Sequence, residues 1–320
     1  MPERTAPAAP GGGWVRATAP ATTANLGPGF DTLGLALAWT QTALCALAPE
    51  GVADVAVDGP GAEGVPRDER NLIVRAATAV CGEVGLGRHG LRVRLTLELP
   101  VGRGLGSSAA AVALGLVAAN ALAGQPLAAQ RLLEIGTQLE GHPDNVAPAL
   151  FGGLCAACQD GGRVWAVRLA PPEGLRALLA IPDRPLSTAE ARAALPRQVP
   201  LADAVANVQR TGLLVAALAA GRLDALGVAT QDRLHQPYRA SLIPGLEACL
   251  RELPAVGARG AFLSGAGPTV LALVDAAADT RPVAARLEGW LAGWGGGRVR
   301  SVGLAAQGAA AVPVQAPTAG

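Results

Sequence analysis

The chain has 320 residues, a length that predicts about two domains. Its 26 basic and 25 acidic residues leave a formal net charge of +1, so the composition gives no reason to expect a nucleic acid or an anionic membrane as partner. No lysine occurs anywhere in the sequence. Chemistry that depends on lysine, such as a Schiff base or the Walker lysine of a nucleotide-binding loop, is therefore excluded.

The cysteine content and the N-terminal residues indicate the cellular compartment of the protein. Five cysteines form an odd, sparse set that does not resemble a secreted disulfide framework. Cys155 and Cys158 have the spacing of a zinc or redox pair, but no second pair completes a zinc site, and we interpret them as strand packing. The residues after Met1 contain no apolar signal core, and the uncharged stretch 104–130 is too rich in Ala, Gly and Ser for a membrane span. A soluble, cytoplasmic protein is expected.

The first half of the chain is predicted to alternate strands and helices. Residues 1–13 are rich in Pro and Gly and are expected to form a mobile tail. Apolar stretches between Trp14 and Pro49 predict strands around a turn at Asn25–Gly29. Leu91–Leu99 alternates apolar and charged residues, which is typical of a half-buried strand. Helical spacing predicts helices at 71–82, 107–123 and about 127–141, and further strands are predicted at 153–157, 164–169 and 178–181.

The second half has the pattern of a separate α+β domain. Its predicted helices cover 201–220, 223–230, 242–253 and 282–291, and its predicted strands cover 261–263, 270–274 and 299–304. We therefore predict an N-terminal domain over 14–170, a C-terminal domain over 171–308, and a frayed tail over 309–320.

The segment Pro100–Ala110, here called the phosphate loop, joins the strand ending at Leu99 to a long helix. Its alternate glycines permit backbone conformations that aim successive N–H groups at an anion, and the helix start adds the positive end of its dipole. A capped helix after a glycine turn is the simpler interpretation. The combination of three glycines, two serines and an arginine favours phosphate binding: Gly102, Gly104, Gly106, Ser107, Ser108 and Arg103.

Five segments together carry a family resemblance. Pro100–Ala110 resembles the second motif of the GHMP kinase superfamily, Pro20–Asp31 the first motif and Leu263–Val270 the third. Glu140–Pro148 and His235–Arg239 are similar to the homoserine kinase family in particular. The resemblance implies an α+β fold of two domains, S5-like at the N-terminus and ferredoxin-like at the C-terminus. It also implies ATP-dependent phosphorylation of the side-chain hydroxyl of L-homoserine to O-phospho-L-homoserine, a step of threonine biosynthesis.

ATP as co-substrate and Mg²⁺ as metal are implied by the same resemblance. Magnesium neutralises the β and γ phosphates and prefers oxygen ligands. The implied ligands are Ser108 and Glu134, which precedes His142 by eight residues. Asn71 resembles the adenine contact of the family. The remaining implied ATP-binding residues are those of the phosphate loop: Pro100, Val101, Gly102, Arg103, Gly104, Leu105, Gly106, Ser107, Ser108, Ala109 and Ala110.

Homoserine is a zwitterion, so its recognition requires groups of both charges. Guanidinium forks suit a carboxylate, and a carboxylate suits an ammonium group. By resemblance, Arg192 and Arg239 hold the substrate carboxylate, whereas Asn25 and Asp31 lie near its amino and hydroxyl end. Thr188 and His142 complete the implied pocket.

No residue of the sequence clearly supplies a general base. Asn145 stands where related kinases have an aspartate, and an amide cannot keep a proton. Because phosphoryl transfer has a loose transition state, positioning and charge neutralisation can supply most of the acceleration. The hydroxyl proton can then pass late to a phosphate oxygen. Arg103 is the candidate, beside Mg²⁺, for offsetting the γ-phosphate charge.

Two other hypotheses stay open at this point. Another GHMP kinase would act on a sugar or on mevalonate, but two pocket arginines and Asp31 favour an amino acid. A non-catalytic relative that binds a small molecule and regulates a partner would be expected to lose Ser108, Glu134 or the loop glycines. The resemblance also implies a homodimer, although no exposed apolar stripe is evident in the sequence.

Overall fold

A computed structural model describes residues 13–87 and 89–317. Its strands form one sheet of seven and one sheet of four. The strands are β1 (Trp14–Ala24), β2 (Leu33–Glu50), β3 (Ala53–Asp58), β4 (His89–Thr96), β5 (Leu154–Asp160), β6 (Arg163–Leu169), β7 (Leu175–Pro182), β8 (Gly260–Leu263), β9 (Val270–Asp275), β10 (Gly297–Val302) and β11 (Ala310–Val314). The helices are α1 (Leu72–Glu83), α2 (Ser107–Leu122), α3 (Ala129–Glu140), α4 (Val146–Phe151), α5 (Thr188–Ala193), α6 (Leu201–Ala219), α7 (Leu226–Ala229), α8 (Gln236–Arg239), α9 (Leu246–Glu252) and α10 (Arg281–Gly293).

The N-terminal domain packs helices on one large sheet. Its strand order is β11-β1-β2-β4-β3, with β5 pairing with the start of β2 and β6 pairing with β5. Helix α2 is almost wholly buried, packing against β1 and β2 on one side and against α1 and α3 on others. A helix without charges and rich in alanine suits such a position because apolar surface faces it all round. Within the described residues, no helix is long and apolar enough to cross a membrane.

The C-terminal domain has a ferredoxin-like arrangement, as the resemblance implies. Its four strands lie in the order β10-β7-β9-β8 and every neighbouring pair is antiparallel. Along the chain, helices connect β7 to β8, β9 comes directly after, and α10 leads into β10. This is the β-α-β-β-α-β succession of that fold. The predicted α+β, two-domain architecture is confirmed.

The side chains of strand β7 contribute to the apolar cores on both of its faces. Ala177, Leu179 and Ile181 join the apolar cluster of the N-terminal domain. Leu178 and Ala180 join a second cluster beneath α9 and α10. Successive side chains of a strand point to opposite faces, so one face of the smaller sheet is buried against the first domain.

The prediction of a frayed tail over 309–320 is wrong for residues 310–314. Ala310–Val314 forms β11, which pairs antiparallel with Trp14–Thr18 at the edge of the larger sheet. Pro313 lies opposite Val15, and an edge strand tolerates proline because one side of it needs no backbone donor. The end of the described chain therefore belongs to the N-terminal domain. Residues 1–12 of the predicted N-terminal tail lie outside the described residues.

Candidate active site

A cavity of about 400 Å³ lies between the two domains. Four segments of the N-terminal domain and three of the C-terminal domain line it. It brings together most of the residues predicted to form the site. The predicted residues in its wall are Asn25, Asp31, Val101, Gly102, Gly104, Leu105, Gly106, Ser107, Ser108, Ala109, His142, Asn145, Thr188, Arg192 and Arg239.

The phosphate loop is held in place by close backbone contacts. Gly106 has a φ of +64°, and a Cβ there would lie 1.8 Å from the hydroxyl of Thr22. Gly104 has a φ of +72°, and a Cβ there would lie 2.2 Å from the carbonyl oxygen of Ser264. The Ser264 hydroxyl also donates to the Gly104 carbonyl at 2.6 Å. Only glycine fits both positions, and the third motif packs against the phosphate loop as the resemblance implies.

The glutamate beside Ser108 is Glu140, and not Glu134. The Ser108 hydroxyl donates a hydrogen bond to the Glu140 carboxylate, which lines the cavity. Burial raises the pKa of Glu140. Glu134 accepts hydrogen bonds from Arg131 at 2.8 Å and from Gln130 at 3.3 Å, outside the cavity. The prediction of Glu134 as a metal ligand is therefore wrong in this structure.

The geometry of α3 explains the error. Six residues along a helix amount to about 9 Å of rise and about 240° of rotation, so the two glutamates face different surroundings. Helix α3 ends at Glu140, and Gly141 comes next with a φ of +88°. The last carboxylate of the helix, that of Glu140, faces the phosphate loop, where it accepts from Ser108. A residue count back from His142 does not show which face of α3 a glutamate occupies. Glu140 is, however, the first residue of the segment Glu140–Pro148 that resembles the family.

Arg103 also differs from its predicted role. Its guanidinium donates to three carbonyls, those of Pro182 at 2.8 Å, Val101 at 3.0 Å and Asp183. It does not line the cavity, and burial lowers its pKa. Pro182 ends β7, so Arg103 ties the phosphate loop to the C-terminal domain. The prediction that it offsets the γ-phosphate charge is wrong for this conformation, because its donors are committed elsewhere.

Three further ATP-binding predictions fall outside the cavity. Asn71 caps α1, since its side chain accepts from the Ile73 N–H at 2.9 Å and donates to the Pro66 carbonyl at 2.8 Å. With only 2% of its surface exposed, its amide is not presented to a ligand. Pro100 and Ala110, at the ends of the phosphate loop, do not line the cavity either.

The turn of the first motif is strained where it reaches the cavity. Asn25, Leu26 and Asp31 have φ values of +68°, +50° and +54°, a region that non-glycine residues rarely adopt. The Asn25 amide holds the turn by accepting from the Asp31 N–H at 3.0 Å and donating to the Gly265 carbonyl at 3.0 Å. Such strain is typical of functional sites, where the surrounding structure maintains it.

An ion pair crosses the cavity between the domains. Arg192 donates two hydrogen bonds to Asp31, at 2.7 and 2.9 Å. Arg192 lies on α5, which a capping box between Ser187 and Glu190 starts, and Thr188 is its first residue. The residues predicted to hold the two charges of a zwitterion are thus paired with one another. Each is about one-third exposed, so a ligand can reach both.

Arg239 is buried at the floor of the cavity, with 2% of its surface exposed. Its guanidinium donates to the carbonyls of Ala191 at 3.2 Å and Gly265 at 3.0 Å. Phe30 lies against it, with the guanidinium carbon 5.5 Å from the ring centroid. Burial lowers the pKa of Arg239 to about 10, so it still carries its positive charge at neutral pH.

His142 and Asn145 occupy the wall between the phosphate loop and the ion pair. His142 Nδ1 lies 2.5 Å from Asp144, and this contact raises the pKa of the imidazole. The Asn145 carbonyl accepts from the Thr22 hydroxyl at 2.8 Å, and its amide nitrogen donates to Asp144 at 3.3 Å. The sequence reasoning did not include Thr22 or Asp144 in the site, although both lie within or beside segments that resemble the family.

The class of protein is defined by comparison with family models. The models described as the GHMP kinases N terminal domain and the GHMP kinases C terminal match residues 71–153 and 214–288. A crystal structure of mevalonate kinase from L. major covers 93% of this chain and 96% of its own with a TM-score of 0.65, and its 19% identity shows a shared fold. The two domains and the glycine-rich phosphate loop of the first domain are those of the GHMP kinases.

Relatives with a higher sequence identity show which family of the GHMP kinases the chain belongs to. The homoserine kinase of Deinococcus radiodurans is 47% identical over 262 residues, which are 82% of this chain and 85% of that protein. That of Microchaete diplosiphon is 43% identical over 299 residues, 93% of this chain and 97% of that protein. The crystal structure of homoserine kinase from Cytophaga hutchinsonii has a TM-score of 0.84 and 30% identity, covering 93% of this chain and 97% of its own. The chain belongs to the homoserine kinase family.

Proposed function

We propose that the protein transfers the γ-phosphoryl group of ATP to the side-chain hydroxyl of L-homoserine, giving O-phospho-L-homoserine and ADP. The observation that best supports this proposal is that one cavity contains both a phosphate-binding loop and the charged groups that an amino acid requires. Its wall holds the phosphate loop together with an acidic and two basic groups suited to a zwitterion, Asp31, Arg192 and Arg239. A sugar carries no charge and mevalonate has no ammonium group, so neither complements all three of these charged side chains.

The amino acid would take the place of the ion pair across the cavity. Its carboxylate would bind Arg239 and Arg192, and its ammonium group would bind Asp31. The Asp31–Arg192 contact would then be replaced by contacts to the ligand, so the opposite charges of the site remain compensated. Charge-assisted pairs of this kind are stronger than neutral hydrogen bonds and depend on geometry.

Ser108 and Glu140 would hold Mg²⁺ against the phosphates of the nucleotide. Both side chains offer oxygen ligands, and the partly buried Glu140 carboxylate would gain a cation that relieves the cost of its burial. The metal supplies neutralisation of the β and γ phosphate charge. This assignment replaces Glu134 by Glu140.

His142 and Asn145 would position the hydroxyl that attacks. Asn145 is fixed by Thr22 and Asp144, so its orientation does not depend on the ligand. Holding the hydroxyl in line with the γ phosphorus converts a bimolecular step into one between bound groups, which supplies much of the acceleration. The proton can pass late, to a phosphate oxygen.

The nucleoside would occupy a second cleft next to the phosphate loop. This cleft has a volume of about 660 Å³ and shares Val101, Gly102 and Leu186 with the main cavity. Its outer wall is formed by the segment between β3 and α1, around Pro60–Gly64. A nucleotide with its phosphates on the loop would reach this cleft with its base. The proposal replaces the contact predicted for the Asn71 side chain.

A coupled assay of ADP release tests the function. Homoserine, serine, threonine, mevalonate and galactose would be compared at equal concentration with ATP and Mg²⁺. We expect homoserine to give the highest kcat/KM. Faster turnover of mevalonate or galactose would contradict the substrate assignment, and failure of every substrate would favour the non-catalytic alternative.

We also propose that the protein is a homodimer that pairs through α6. Leu201, Val205 and Val208 on this helix are 80%, 44% and 74% exposed. These three positions fall within about 60° of one another around the helix, so two α6 helices that pair about a two-fold axis would bury the same apolar face on both copies.

A cytoplasmic location is part of the same proposal. All five cysteines are free thiols, and four of them are buried. Free thiols persist where the surroundings are reducing. The observation supports the location and does not bear on the activity.

A further inference from the structure

His235 is a buried imidazole that the proposed reaction does not use. None of its surface is exposed, and its ring stacks on Phe30 with 5.3 Å between the centroids. It lies between two functional parts of the molecule. Its Nε2 is 2.7 Å from the carbonyl oxygen of Gly27 in the first-motif turn, and its Nδ1 is 3.1 Å from Nη1 of Arg239.

These two contacts determine which ring nitrogen carries the proton. A carbonyl oxygen can only accept, so Nε2 must donate to Gly27. A guanidinium can only donate, so Nδ1 must accept from Arg239. The ring is therefore neutral, with its proton on Nε2. Burial, which lowers the pKa of His235, favours the same state.

We infer that His235 is a positioning residue that orients Arg239 for the carboxylate of the amino acid. The inference rests on the proposed function, because it assigns a role within the same substrate site. His235 does not line the cavity, so it acts through the guanidinium and not by contact with the substrate.

The contacts of Arg239 show why an acceptor at Nδ1 matters. The other acceptors recorded for its guanidinium are two backbone carbonyls, at Ala191 and Gly265. Nη1 of Arg239 donates both to Nδ1 of His235 and to the Gly265 carbonyl. The two acceptors together fix the plane of the guanidinium group. A bidentate contact requires the guanidinium plane to match the carboxylate, so a small rotation weakens binding.

The contact to Gly27 is less critical, because the turn has other supports. The neighbouring carbonyl, that of Pro28, accepts from Asn207 at 3.0 Å and from Thr211 at 3.0 Å, both on α6. Loss of the Nε2 donor leaves these in place. The two ring nitrogens can therefore be tested separately.

The test compares His235→Leu with His235→Asn. Leucine removes both polar atoms, whereas the Asn carbonyl can accept from Arg239 near the position of Nδ1. We expect His235→Leu to raise the KM for homoserine about 10-fold or more, as the loss of a buried charge-assisted contact does, with the KM for ATP within about twofold. His235→Asn should recover most of this loss. Arg239→Lys, which removes the fork directly, sets the upper limit of the effect.

Asn120→Leu is the matched control. Its buried amide makes two hydrogen bonds to Leu127 in the N-terminal domain, each 3.0 Å long, away from the cavity. It should lower the melting temperature without changing the KM for homoserine. If both His235 variants fold and keep the KM for homoserine, or if both raise the KM for ATP equally, the positioning role is wrong. Wild-type turnover of homoserine, measured first, separates this outcome from failure of the proposed function.

Discussion

The two glutamates of α3 differ in their surroundings. Glu134 is paired with Arg131, which lowers its pKa, whereas burial raises the pKa of Glu140 beside Ser108. We predict that Glu140→Gln lowers kcat by about 100- to 1,000-fold, because neutralisation of phosphate charge acts mainly in the transition state. Glu134→Gln, on the same helix, should keep kcat within about twofold. Both values are measured by steady-state kinetics over a range of Mg²⁺ concentrations.

Thermal unfolding of the two variants provides the control for this comparison. Glu140→Gln should melt at or above the wild-type temperature, since an amide in place of a partly buried carboxylate removes a desolvation cost. Normal turnover of Glu140→Gln, together with loss of activity in Glu134→Gln, would restore the assignment made from sequence spacing.

At the scale of single residues, the sequence indicates the place of a side chain where a short motif fixes its position. Ser108 and Asp31 both line the cavity because each belongs to a segment whose turn and spacing are local, and their roles there stay predictions. Glu134 and Arg103 do not line it, for two different reasons. The first error depends on the phase at which a helix ends, and the second on carbonyls of a domain that is distant in sequence.

Among the secondary-structure elements, β11 can be removed by truncation, and its contribution to stability can therefore be measured directly. It covers the edge of β1 with five paired residues. We predict that a chain ending at Gly308 unfolds about 1–3 kcal/mol more easily than the full chain, since its loss exposes the backbone groups and apolar residues of β1. The measurement is urea unfolding monitored by circular dichroism.

A chain ending at Gln315 serves as the matched control for that truncation. It keeps all of β11, which ends at Val314, and removes only the residues beyond Gln315. Its unfolding midpoint should equal that of the full chain. Equal midpoints for both truncations would show that β11 contributes nothing measurable to stability.

Long elements with a clear period were predictable, whereas the short elements α8 and β11 were not. Helices α2, α3 and α6 begin and end within a few residues of the predicted bounds, because many residues share one pattern. Helix α7 lies within the helix predicted over 223–230, whereas α8 was not predicted because four residues are too few to show a period. Strand β11 consists of Ala, Val and Pro and shows no alternation of apolar and polar residues. It is a strand because it pairs with β1.

For the whole molecule, the exposed face of α6 predicts a state of assembly. Val208→Glu places a charge at the centre of the proposed two-fold contact, so we expect it to give a monomer where the wild type is a dimer. Multi-angle light scattering after size-exclusion chromatography measures this. Val167→Glu on β6, at a position 65% exposed, is the control and should remain a dimer. A monomeric wild type, or dissociation of the Val167 variant alone, would show that α6 is not the interface.

The pairing of β1 with β11 also has a consequence for how the molecule is made. Domains emerging from the ribosome generally fold in order, the N-terminal one first. Here the first strand of the sheet must wait for β11, which is translated only after every element of the C-terminal domain. The nascent N-terminal domain therefore carries an open edge until β11 has been made, and such an edge is the kind of surface that molecular chaperones shield. The larger sheet is completed only after the C-terminal domain has been made, and its completion brings the first and last strands of the described chain together.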